Sequence, residues 1–317
     1  MSELIATIDV GTNTAHLLVS RVMPTGDAEP LHSETRFVRL GQGVDASGEI
    51  HPEALARLKS TLLEFSTIAR EAGAGTTIVA GTSASRDARD PQGLIEFVRR
   101  ETGLRYTIVS GEEEAQLTGL GALSVVSRPA GPVVIADIGG GSTELTYVDR
   151  TTQPPSVERS VSLDVGSVRI TERCFITLPP SREAVARARD IVDEALTASK
   201  CRGENDRLFV GAAGTIRALA LIEYGVSTWS DLPVGEVTIS REICGSWCDR
   251  LLGLDEASVR ALDPIVMHGR ADVFAAGVLI LDRIFDRLAA RECLVSPRGL
   301  RHGLAIRYAQ LKKAREG

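Results

Sequence analysis

The feature that most constrains this 317-residue chain is that its second half repeats its first. An apolar strand at 4–8 runs into the turn Asp9-Val10-Gly11-Thr12-Asn13-Thr14 and a second strand at 16–22. Another apolar strand at 133–136 runs into Asp137-Ile138-Gly139-Gly140-Gly141-Ser142-Thr143 and a partner strand at 144–148. Each half then alternates helices and strands. A duplication on this scale predicts two lobes of one α/β design, 1–126 and 127–317. The last helix, about 299–317, is expected to pack back on the first lobe.

Within this frame the periodicities are ordinary. Leu55, Leu58, Leu62, Phe65 and Ile68 recur at helical spacing and predict a helix over 52–72, stopped by Gly73. A third strand is expected at 37–40, a helix at 112–126 behind Ser110-Gly111, and a long helix at 268–289.

Composition excludes several classes. The net charge of -6 argues against nucleic acid or an anionic membrane as partner. A polyanionic ligand is still open, because it needs a local basic pocket and backbone amides rather than a basic protein. The five cysteines form no CxxC pair and read as buried thiols, and the five histidines show no HExxH, so zinc is not expected. The apolar run 273–281 is too short to span a bilayer, and Glu3 and Asp9 stand where a signal sequence would be apolar. The expectation is a cytoplasmic enzyme.

Each glycine turn, taken singly, reads equally as a tight turn or as a phosphate loop. Both are followed by a strand, which argues against a dinucleotide fingerprint. Both carry an acid just before the glycines. Asp9 and Asp137 would repel phosphate unless a divalent cation lies between, which suits magnesium, with manganese as substitute; Glu144 adds a ligand or orients its waters. Glu112, Glu113 and Glu114 open a helix, where acids complement the dipole, and one of them is placed to activate a water. Arg86 follows the hydroxyl-rich Gly81-Thr82-Ser83-Ala84-Ser85, and Gly211-Ala212-Ala213-Gly214-Thr215 sets a helix start at a strand end. Arg169 and Arg173 share a helical face that either lines a substrate path or is solvated.

The stretches ATIDVGTNTAHLLV, GTSASRDARD, SGEEEAQL, ADIGGGSTEL, VSLDVGSVRITE, VGAAGTIRALA, GRADVFAAGVLIL and VSPRGLRHGL, in this order, resemble the Ppx/GppA family of exopolyphosphatases and guanosine pentaphosphate phosphohydrolases. The resemblance implies an actin-like fold (sugar kinase, heat-shock chaperone and actin, ribonuclease H-like) with a cleft between two duplicated lobes. It implies Glu114 as the catalytic acid-base group and Asp137, Glu144 and Asp9 as the acids around the metal. Asn13, Thr14, Arg86, Gly140, Gly141, Ser142, Thr143, Gly214 and Thr215 fall on phosphate-contacting segments, with Arg169 nearby. The implied substrate is inorganic polyphosphate or guanosine pentaphosphate, and a homodimer is a family-level expectation. Asp90 stands where the family often has Asn, and the Val210–Gly214 run is less glycine-rich than its counterpart. The end of the chain just past VSPRGLRHGL is expected to make it a short-form member without a helical HD-type region and of lower processivity. A small-molecule kinase or a non-catalytic phosphate sensor of the same fold are the competing readings.

Overall fold

The repeat in the sequence is a repeat of strand pairing. The computed structural model describes residues 3–152, 155–201, 207–232 and 237–316. They group into two units, Met1–Ser124 with Arg298–Gly317, and Val125–Pro297. The last helix therefore belongs with the first unit.

In the first unit β1 (Leu4–Val10) pairs antiparallel with β2 (Thr14–Val22) and parallel with β4 (Thr76–Gly81). With β3 (Ala28–Phe37) and β5 (Tyr106–Ile108) the sheet order is β3-β2-β1-β4-β5. Alternation along the strands gives each face its own cluster. Ile8, Val10, Leu17 and Val19 pack with Leu58, Leu62 and Phe65 of α2 (Pro52–Glu71) and Leu94 and Val98 of α4 (Pro91–Thr102). On the other face Leu18 and Ala28 meet Ala305 and Ile306 of α12 (Leu300–Glu316). There, too, Ala80 and Val109 pack with Leu117 of α5 (Gly111–Leu123) and with Leu300 and Leu304.

α5 and α12 approach backbone to backbone, and glycine makes that possible. A Cβ on Gly121 would lie 2.2 Å from the Gly299 carbonyl oxygen, and one on Gly303 would lie 1.8 Å from that of Leu117. Tyr308 and Lys312 of α12 both donate to the Glu3 carboxylate beside β1. Those two bonds hold Glu3 below the usual carboxylate range, Lys312 contributing most.

The expected strand at 37–40 is a correction: the third strand lies upstream and ends at Phe37. It pairs only with β2, as an edge strand, and its residues are largely exposed. Pro30 is tolerated there beside a register shift at Val19/Ser20, so its sequence lacks the apolar run of a central strand. Two short helices, α1 (Val44–Ser47) and α3 (Ser83–Asp87), complete the unit.

The second unit repeats the plan. β6 (Pro132–Ile138) pairs antiparallel with β7 (Thr143–Asp149) and parallel with β9 (Leu208–Ala212). Adding β8 (Ser156–Leu163), β10 (Thr238–Ser240) and β11 (Glu292–Val295) gives the order β10-β11-β9-β6-β7-β8. The helices are α6 (Ser167–Cys174), α7 (Arg182–Ala198), α8 (Ala213–Glu223), α9 (Arg241–Leu252), α10 (Glu256–Leu262) and α11 (Phe274–Leu288). α11 is the core helix, with Phe285 edge-on to Phe209 at 5.2 Å between ring centroids. It starts six residues later than the expected 268–289, because Gly269 takes a left-handed φ of 66° and the amides of Arg270 and Val273 bond three residues back, to Met267 and Arg270. The five cysteines are buried and unbridged, and desolvation pushes the Cys248 thiol up to about 12. No described helix is long and apolar enough to cross a membrane.

Two outcomes follow. Gly303→Ala forces α12 off α5 and lowers stability by about 1–3 kcal/mol, whereas Gly75→Ala, with nothing within 4 Å of the added carbon, stays near wild type; chemical denaturation reads both. Glu3→Gln costs about 0.5–1 kcal/mol at neutral pH. Because the folded pKa of Glu3 is depressed, that difference is present above the ordinary glutamate value and vanishes as pH falls through the depressed one. A difference that persisted in acid would contradict this.

Candidate functional site

Each unit gathers its expected residues at the carboxyl ends of its central parallel strands. In the first unit β1 ends at Asp9 and Val10, and the turn closes with the Gly11 amide donating to the Thr14 carbonyl at 2.8 Å. The carbonyls of Thr12 and Asn13 are taken by the amides of Gly41 and Arg39, both at 2.9 Å. A trans peptide points its C=O and N–H in opposite directions. Tying these carbonyls back turns the amides of Asn13 and Thr14 the other way.

α5 starts at the end of β5, capped by the Ser110 hydroxyl accepting from the Glu113 amide at 3.1 Å. Of its three opening acids, Glu114 is the buried one, at 8% exposure. Its Oε2 accepts from Arg86 Nη1 at 2.6 Å, and the same nitrogen donates to the Val109 carbonyl at 3.1 Å. Arg86 sits in the last turn of α3, at the end of β4. Arg86 and Glu114, expected separately, are thus one ion pair, largely shielded from water, where charge pairing is stronger than at a surface. Glu113 points away and pairs with Arg307 of α12 at 3.2 Å.

Asp9 lies on the sheet face toward α12. Its strand neighbour on that face, Thr7, donates to the Arg301 carbonyl at 2.9 Å. Burial pulls Arg301 below the ordinary arginine value, and the charge of Asp9 opposes that shift. Asp9 and Arg301 of α12 thus attract each other by charge. Tyr106, buried and bonded to the Ser85 hydroxyl at 2.7 Å, is raised by desolvation.

The second unit builds the same turn. The Gly139 amide donates to the Ser142 carbonyl at 2.9 Å. The Gly139 carbonyl accepts from the Ser167 amide at 2.9 Å, and that of Gly140 accepts from Val168 at 2.8 Å and Arg169 at 3.1 Å. Arg169 Nε donates to the Gly141 carbonyl at 2.7 Å. The first turn of α6 thus holds three consecutive carbonyls, and the amides of Gly140, Gly141 and Ser142 face away from it. Gly166 makes this possible: a Cβ there would lie 2.5 Å from the Gly140 carbonyl carbon.

Arg169 was expected near the substrate path; it is buried, and its side chain braces the loop from behind. Thr143 is likewise turned inward, its hydroxyl donating to the Val165 carbonyl at 2.6 Å. Asp137 and Glu144 are cross-strand partners, so their side chains share a face. Glu144 is 2% exposed and accepts from the Ser162 hydroxyl at 2.7 Å.

Gly214 and Thr215 lie in the first turn of α8, at the end of β9, where the cap residue Ala212 offers no side-chain bond. Ala213 takes a left-handed φ of 70° that glycine would adopt freely. Arg270 Nη1 donates to the Gly214 carbonyl at 2.8 Å, and a Cβ on Gly277 would sit 2.7 Å from Thr215 Oγ1.

Gly166, Ser162, Arg270 and Arg301 are the residues that the sequence reading did not single out. The signal for the first and the last two lay inside the VSLDVGSVRITE, GRADVFAAGVLIL and VSPRGLRHGL stretches. The partnership of Ser162 with Glu144 depends on strand register and leaves no local mark. Gly166→Ala should push α6 off the loop. The amides of Gly139, Ser167 and Val168 would then exchange with solvent more than about tenfold faster; unchanged protection would refute the bracing.

The chain matches the model of the Ppx/GppA phosphatase family over residues 18–313. It is similar to exopolyphosphatase 2 of Mycobacterium tuberculosis, 32% identical over 96% of this chain and 98% of that protein. Exopolyphosphatase 1 of Mycobacterium leprae is 30% identical over 95% of this chain and 88% of that protein. Among solved structures, an exopolyphosphatase-like protein superposes with a TM-score of 0.88 at 30% identity, covering 97% of this chain and 98% of that one. The Aquifex aeolicus family member gives 0.80 at 25%, covering 98% and 99%. With its repeated strand-turn-strand units and a family match across nearly its whole length, the chain belongs to the Ppx/GppA phosphatase family.

Proposed function

We propose that this protein is an exopolyphosphatase, releasing terminal orthophosphate from inorganic polyphosphate by attack of water. The observation that carries the reading is the run of amides at Gly140, Gly141 and Ser142, turned outward because the first turn of α6 holds the carbonyls behind them. It suits the oxygens of a phosphate group, and it lies beside two acids that would repel phosphate if left alone. The exopolyphosphatases of Mycobacterium tuberculosis and Mycobacterium leprae, similar over nearly the whole chain, support the substrate class.

Asp137 and Glu144 fit a divalent cation. They are hard oxygen donors on one face of adjacent strands. Among the described residues no three His, Cys, Asp or Glu side chains cluster as a ready metal cage. Magnesium commonly takes only one or two carboxylates and completes its shell with water and phosphate oxygens. Bound there, it would neutralise phosphate charge in the ground and transition states.

The protein's own groups divide the work. The loop amides hold phosphate oxygens. Glu114 orients a water and takes its proton as the oxygen attacks phosphorus and the bridging P–O bond breaks. Arg86 holds the Glu114 carboxylate in place through its Oε2. Positioning and charge neutralisation supply most of the rate.

Phosphate release from polyphosphates of defined length, with magnesium present, tests the reading, with guanosine pentaphosphate in parallel. Release from polyphosphate that EDTA abolishes is expected. Glu114→Gln should lower kcat by about 10²–10⁴-fold while polyphosphate binding persists. Cleavage of the nucleotide alone would move the substrate to guanosine pentaphosphate, and silence on both would end the hydrolase reading.

A further inference from the structure

Strand register lets the two units be compared residue by residue. Asp9 lies across from His16, and His16 across from Thr35, over β1, β2 and β3. Asp137 lies across from Glu144, and Glu144 across from Ser162, over β6, β7 and β8. The same shift in numbering carries Asp9 to Asp137, Gly11 to Gly139, Thr14 to Ser142 and His16 to Glu144. In both rows a hydroxyl on the third strand holds the central side chain. Ser162 Oγ donates to Glu144 Oε1 at 2.7 Å, and Thr35 Oγ1 lies 2.9 Å from His16 Nδ1.

The copies differ in what the centre of the row offers. Ionised Glu144 is an acceptor only. His16 has two nitrogens, and its second, Nε2, lies 2.9 Å from Thr14 Oγ1. Thr14 closes the first loop, next to the outward amides of Asn13 and Thr14 itself. A neutral imidazole donates through one nitrogen and accepts through the other, and Thr35 can serve either role. If Nε2 accepts, it consumes the one proton of the Thr14 hydroxyl. If Nε2 donates, the Thr14 oxygen accepts, and its O–H is left to donate elsewhere.

We propose that His16 gives the first loop a side-chain donor for the anion that the second loop lacks. Its Nε2–H donates to Thr14, and the Thr14 hydroxyl donates to a phosphate oxygen of the substrate beside the loop amides. The second copy, with Glu144 at the centre of its row, has an acceptor in that place. His16 acts through Thr14 and is a positioning residue. The inference rests on reading the loops as phosphate-binding.

Steady-state hydrolysis of polyphosphate by the full chain tests it. His16→Phe and Thr14→Val should each raise KM about tenfold and leave kcat within about twofold. The double variant should be no worse than Thr14→Val, because both changes act on one hydroxyl, Thr14→Val by deleting it and His16→Phe by releasing its orientation. His16→Gln, whose amide nitrogen can reach the place of Nε2, should recover most of the lost affinity. Additive effects, an unchanged KM in either single variant, or a His16→Gln no better than His16→Phe would overturn the proposal. Thr14→Val tests it alone should His16→Phe fail to fold. A wild type that releases phosphate while these variants keep its KM sinks this proposal only; a wild type that releases none sinks the hydrolase reading and this proposal with it.

Discussion

A trans peptide cannot point its carbonyl and its N–H the same way, and both glycine-rich loops are built on that constraint. An anion site needs several amides converging on one point, and a free loop would not hold them there. Here the carbonyls of Gly139, Gly140 and Gly141 are taken by α6, and those of Thr12 and Asn13 by the 39–41 segment. The amides then have one direction left. The cost is close packing behind the loop, which glycine alone permits at Gly166. Arg169 belongs to this support: a guanidinium spent on a main-chain carbonyl braces the loop more rigidly than a solvated one lining a path.

The Glu114–Arg86 pair follows another logic. Removing a carboxylate from water is costly, and one arginine offsets that only with good geometry. The 2.6 Å contact and the first turn of α5 provide it, since a helix N-terminus favours negative charge. Glu112 and Glu113 gain the same dipole benefit without burial. Three acids in a row therefore have different meanings although their local sequence is alike. What sets Glu114 apart is the side of α5 that α12 and β5 leave toward Arg86, and α12 is fixed by the Gly121, Gly299 and Gly303 approach from the far end of the chain.

That contrast marks how far the sequence could be read. The duplicated strand-turn-strand units were legible, because a buried central strand must be apolar and a tight turn must carry small residues. The helix over 52–72 was legible from its spacing. β3 was not, since an edge strand half in water carries no apolar run, and β10 was missed because three residues set no periodicity. Asp137, Glu144, Arg86 and Glu114 could be picked out as chemistry-bearing residues. Their pairings could not, because Arg86 with Glu114 and Ser162 with Glu144 join positions 28 and 18 residues apart through register and packing. Nor could the helical face of Arg169, or the family stretch that holds Thr143, foretell that Arg169 Nε bonds the Gly141 carbonyl and the Thr143 hydroxyl that of Val165.

The duplication also bears on why the copies no longer match. Each row would otherwise carry a pair of acids, and carboxylates without a cation repel phosphate. One row can keep its acids if a cation joins them. The other must then shed or compensate its charge. In the first unit His16 stands at the position of Glu144, and the charge of Arg301 acts on Asp9. The compensating arginine comes from α12, the segment that follows the second unit in the chain yet packs on the first. Return of the chain to the first unit is thus part of the electrostatics of the first loop as well as of its packing.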